Sequence, residues 1–115
     1  MDVELPCMTR EIDGHTVLAF VGEIDVHTAS ELRDRVLDRY RAGHTRLVID
    51  LTGVPFIDST GLSVLVGALK RIRTAGGSLQ IVITDEPVLE VFRVTGLHRL
   101  FTIRSSITDA ITAGE

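Results

Sequence analysis

The chain has 115 residues, of which 44% are hydrophobic and 24% charged, and a formal net charge of −4 at pH 7. That composition fits one domain, residues 1–115, with one core, and excludes disorder, a basic nucleic-acid face and a polybasic lipid patch. Cys7 is the only cysteine, so there is no internal disulfide or Cys-based zinc site.

Met1 to Pro6 carries two acids and no basic leader segment. The apolar run Leu62 to Leu69 stops at Lys70, far short of the ~20 residues of a membrane span. A soluble cytoplasmic protein is expected.

Val3–Arg10 and Thr16–Val21 read as strands joined by the polar turn Glu11-Ile12-Asp13-Gly14. The second is apolar on both faces, as a central strand is. After Gly22-Glu23-Ile24-Asp25, the spacing Thr28-Ala29-Ser30-Glu31 predicts a capping box, each side chain serving the other residue's N–H. Ala29, Leu32, Val36, Leu37 and Tyr40 recur at helical spacing up to Gly43. Arg33, Asp34, Asp38 and Arg41 form the charged opposite face.

Arg46–Leu51 is a continuous apolar strand. Ser59 to about Thr74 is a helix stopped by Gly76-Gly77, and Ser78–Ile83 is a further buried strand. Pro87 sits in the first turn of a helix reaching about Thr95, where its missing N–H is not needed. Leu100–Ile103 and Ser106–Ala113 read as a last strand and a closing helix. This β-β-α-β-α-β-α-β-α order predicts an α/β fold: a mixed, mostly parallel sheet with an antiparallel N-terminal hairpin strand and about four helices. Sites in such sheets form where strand carboxyl ends meet helix amino ends. Residues 22–28, 51–62 and 84–88 are expected to meet there.

Ser59 opens a helix on that edge. It can be an N-cap, a nucleophile or a phosphoacceptor, because a helix N-terminus offers free N–H groups and the positive end of the dipole. The nucleophile elbow G-x-S-x-G needs glycine at positions 57 and 61, and this chain has Ile57 and Gly61. Of the histidines, only His27 lies on a segment expected at the same edge, so a triad has no evident base. No phosphate-loop motif occurs. Gly67 is expected to allow close packing on the sheet. Asp25, Asp50 and Asp58 form an acidic edge, read here as ordering loops and facing a partner rather than holding a metal. Asp25 is placed to hydrogen-bond the Ser59 loop.

Gly22-Glu23-Ile24-Asp25 with Thr28-Ala29, then Leu47-Val48-Ile49-Asp50-Leu51, then Phe56-Ile57-Asp58-Ser59-Thr60-Gly61-Leu62 resemble the STAS domain of bacterial anti-sigma factor antagonists. Val94-Thr95-Gly96-Leu97 and Leu100-Phe101 match the family's usual ending. The resemblance covers nearly the whole chain. It implies a regulatory protein and not an enzyme. In that scheme the unphosphorylated antagonist binds an anti-sigma factor serine kinase of the histidine-kinase-like ATPase fold and frees a sigma factor. The kinase phosphorylates the serine matching Ser59, the complex dissociates, and a metal-dependent phosphatase of the PP2C type restores binding. Asp25, Asp58, Thr60, Gly61, Leu62 and Ser63 are the partner-binding residues this implies. No cofactor, metal, nucleic acid or membrane is implied. STAS domains also occur in stressosomes, as tails of anion transporters and as non-phosphorylated adaptors of ABC-type lipid-transport complexes. The absence of a membrane region and of an N-terminal sensor disfavours the first two, and the Asp58-Ser59 pair favours the sigma pathway over the third.

Overall fold

A computed structural model of the chain describes residues 4–113. Strands β1 (Cys7–Ile12) and β2 (His15–Val21) form a hairpin closed by the Ile12–His15 pair. Its loop is Asp13-Gly14 alone, with φ of 49° and 82°. Positive φ at both central residues is what a two-residue turn matching strand twist requires, and aspartate followed by glycine tolerates it. The expected four-residue turn is thus shorter, and Glu11 and Ile12 stay in the ladder.

At its other end β1 starts later than the sequence suggests. Val3 lies outside the described residues. The backbone N–H of Leu5 has left the ladder and donates to Glu31 Oε2 at 2.6 Å. That bond also overturns the expected capping box. Glu31 serves a residue far away in sequence, and Thr28 makes no side-chain bond to its helix. Instead the buried Thr28 hydroxyl donates to the Glu23 carbonyl at 2.9 Å and accepts from Asp25 N–H at 3.0 Å. A long-range bond has captured Glu31, and local bonds to the preceding turn have captured Thr28.

Helices α1 (Ala29–Arg41), α2 (Ser59–Thr74) and α3 (Glu86–Val94) alternate with strands β3 (Arg46–Gly53), β4 (Ser78–Val82) and β5 (Thr102–Arg104), and α4 (Ile107–Ala113) closes the chain. A 3-10 turn, Leu97–Arg99, delays β5 relative to the expected Leu100 start. The sheet order is β1-β2-β3-β4-β5, antiparallel only between β1 and β2. β2 is interior, as its two apolar faces require.

Alternation along the strands sorts the core into two layers. Leu18, Phe20, Leu47, Ile49, Leu79 and Ile81 face α1, α2 and α3 in the main cluster. Val17, Val48 and Val82 pack on Ala110 of α4 across the sheet. Phe92 meets Phe101 edge-on, with ring centroids 5.8 Å apart, tying α3 to the segment before β5. The four parallel strands all release their chains at one edge, which carries the candidate site.

Candidate functional site

Two loops are stitched together at this edge by backbone. Ile24 N–H donates to Phe56 O at 2.9 Å, and Asp58 N–H donates to Ile24 O at 3.1 Å, forming a parallel bridge between Ile24 and Ile57. Both isoleucines are buried and press on Gly61. A Cβ at Gly61 would come within 2.6 Å of Ile24 Cγ2 and 2.8 Å of Ile57 Cγ1, closer than real contacts allow. Glycine here sets how closely α2 approaches the loops.

The bridge fixes the helix start. Asp58 is held extended, with φ −104° and ψ −175°, and is the N-cap. Its Oδ1 accepts from Thr60 N–H at 2.9 Å and Gly61 N–H at 3.1 Å. Ser59 is therefore the first helical residue and not the cap its residue type suggests. The cap role has passed to its neighbour because the backbone bond from Asp58 to Ile24 sets the register. Ser59 is exposed, and its hydroxyl makes no hydrogen bond within the described residues. Two free N–H groups that a phosphate on Ser59 could have used are already bonded to Asp58. A phosphate there would stand outward beside a carboxylate, not be absorbed by the helix end.

Asp25 lies on the partner loop, but its carboxylate turns on its own segment. Oδ1 accepts from His27 N–H at 2.8 Å and Thr28 N–H at 3.2 Å. Among the described residues it makes no bond to the Ser59 loop, so the expected hydrogen bond is replaced by backbone pairing one residue earlier. Asp50 is nearly buried within β3, with Oδ1 accepting from Thr52 N–H at 2.9 Å. Each of the three aspartates closes its own turn. Among the described residues no group of His, Cys, Asp and Glu gathers as a metal site. Cys7 lies on β1 against the main core cluster, where burial pushes its thiol up, more than Thr9 and Arg35 pull it down.

Of the residues expected to face a partner, Asp25, Asp58, Thr60 and Ser63 reach the surface, while Gly61 and Leu62 are buried. The latter two shape the surface from beneath. Apolar side chains missed in the sequence join it: Val26 is 65% exposed and Phe56 48%, on the two bridged loops. The signal was there, since both sit in loops with no core position to fill. Gly67 also departs from expectation. It is exposed, and nothing lies within 4 Å of where its Cβ would be. It faces away from the sheet, on the same helical stripe as Ser59 and Ser63.

A family model described as the STAS domain matches residues 7–110. The chain is similar to the anti-sigma-B factor antagonist of Bacillus subtilis, with 39% identity over 103 residues, covering 90% of this chain and 92% of the relative. It is similar to the anti-sigma F factor antagonist of Paenibacillus polymyxa, with 29% identity over 102 residues and 86% of each chain covered. The crystal structure of an anti-sigma factor antagonist from Mycobacterium paratuberculosis superposes with a TM-score of 0.87 at 28% identity, covering 95% of this chain and 92% of that one.

Proposed function

The chain belongs to the STAS domain family, and from that premise we propose that it is an anti-sigma factor antagonist controlled at Ser59. Its unphosphorylated form binds an anti-sigma factor that is also a serine kinase of the histidine-kinase-like ATPase fold, releasing a sigma factor. In the kinase the Ser59 oxygen attacks the γ-phosphorus of ATP. The hydroxyl proton passes to a base of the kinase and ADP leaves. A PP2C-type phosphatase reverses the modification. The chain is substrate and switch, acting in the cytoplasm, and performs no catalysis itself.

The observation that carries this reading is the division of labour at the start of α2. Asp58 does the capping, which leaves an exposed serine hydroxyl with no structural duty. Phosphorylation there adds a charge of about −1.5 to −2 beside Asp58, on a surface that fits a neutral hydroxyl. One close like-charge contact is worth several kcal/mol at an interface, and about 3 kcal/mol already weakens binding roughly a hundredfold. Asp25, Asp58, Thr60 and Ser63, with Val26 and Phe56, form the proposed contact surface.

Incubation with the anti-sigma factor kinase of the same host and ATP tests the site. Intact-mass and fragment spectra are expected to show one phosphate, on Ser59. Equal modification of the Ser59→Ala protein would move the site to Thr60 or Ser63 and end this reading.

A further inference from the structure

Beside the Ser59 loop, a groove of about 390 Å³ runs between α1 and α2. Its walls are Leu37, Val64, Gly67 and Ala68, with Arg33 on α1 and Arg71 on α2 at its margins, and its N-terminal end is formed by Thr60 and Ser63. From Thr60 to Arg71 it extends about 16 Å along α2, at about 1.5 Å per residue, the length of three helical turns. We propose that this groove seats an amphipathic helix of the anti-sigma factor, with apolar side chains over Val64 and Ala68 and carboxylates toward Arg33 and Arg71. The proposal rests on the function proposed above and names the shape and charge of the partner segment.

Charge is the first argument. The whole chain is acidic, yet α2 carries Lys70, Arg71 and Arg73 and no acidic residue, and of these Arg71 lines the groove. None of these cations has a carboxylate within ion-pair distance among the described residues. Among the described residues Arg33 has only its neighbour Asp34, at 3.4 Å with both side chains more than half exposed, a weak partner. The cations Arg33 and Arg71 at the groove's margins select an acidic segment and disfavour pairing with the same groove of a second copy. An apolar floor between such cations suits a helix that shows apolar residues at i, i+4 and i+7 with acids beside them.

Gly67 is the second. Glycine weakens a helix interior, and at this position no packing inside the chain requires it, because the space over it is open. Its effect is to keep the groove wall bare where another backbone would approach. The groove also connects to the switch. Ser63 and Gly67 line both this groove and the neighbouring hollow that Ser59 borders, so a phosphate on Ser59 stands beside the path of an acidic helix. Repulsion of that helix gives the phosphate a target.

The test measures the affinity of the host's purified anti-sigma factor kinase by calorimetry for wild-type, Ser59→Asp, Gly67→Leu and Arg33→Glu/Arg71→Glu proteins, at low and physiological salt. Gly67→Leu fills the groove without clashing inside the chain, so its melting temperature is expected to equal or exceed wild type. Its affinity is expected to fall at least tenfold. The double arginine variant is expected to fall at least tenfold and to lose most of the salt dependence. Wild-type affinity for both variants overturns the groove and leaves the Ser59 switch standing. Loss of binding in both, with Ser59→Asp still binding like wild type, supports the groove and overturns the switch. Failure of the wild-type protein to bind overturns both.

Discussion

Removing the Asp58 carboxylate should hurt folding, and removing the Ser59 hydroxyl should not. Asp58→Ala strips the acceptor from Thr60 N–H and Gly61 N–H. Loss of an N-cap costs about 0.5–2 kcal/mol, and loss of a negative charge at the positive helix end adds about 0.3–1 kcal/mol. Water reaches this half-buried position and recovers part of that, so about 1.5 kcal/mol is expected. Unfolding entropy of about 2.1 cal/mol/K per residue over 115 residues gives about 0.24 kcal/mol/K, or about 4 °C of melting temperature per kcal/mol. Asp58→Ala should therefore melt about 6 °C below wild type. Ser59→Ala replaces an unbonded hydroxyl by the best helix former and should stay within about 2 °C, on the stable side. Thermal melts followed by circular dichroism at pH 7 read both. A Ser59→Ala protein that falls as far as Asp58→Ala would mean that the serine caps the helix and that the carboxylate does not.

Three further outcomes follow from the same geometry. Gly61→Ala places a methyl against Ile24 and Ile57 and should cost about 1–3 kcal/mol in chemical denaturation, where an unchanged midpoint would refute the close approach. Asp25→Ala should lose about 1 kcal/mol because it opens the turn at His27 and Thr28. Asp25→Asn keeps the acceptor, so in it a drop in kinase affinity with little change in melting isolates the charge, and equal affinity removes Asp25 from the contact surface. Cys7, whose thiol burial pushes up, should alkylate with iodoacetamide at pH 8 several-fold more slowly than free cysteine, and parity would contradict its placement.

The architecture was legible because strong punctuation brackets each element: Gly43 after α1, Gly76-Gly77 after α2, and Pro87 at the start of α3. What stayed hidden depends on contacts that lie outside each element. Thr28 and Glu31 have the spacing of a capping box, but Glu31 finds Leu5 N–H and Thr28 finds Glu23 O. Asp58 and Ser59 are both good caps by type. Only the bridge to Ile24 decides between them. Gly67 lies in a run so apolar that periodicity cannot assign its face, and the structure turns it outward. The site segments were legible as a place, since parallel topology gathers them at one edge. The roles of individual side chains there required the register.

In the proposed switch, a phosphate on Ser59 ends partner binding. The most direct measurement is the affinity of the host's anti-sigma factor kinase for the wild-type chain before and after quantitative phosphorylation, followed by calorimetry. A loss of about a hundredfold, equivalent to about 3 kcal/mol, with an unchanged melting profile, is the expected result. Equal affinity for the two forms would contradict the switch, whatever the modification state of Ser59.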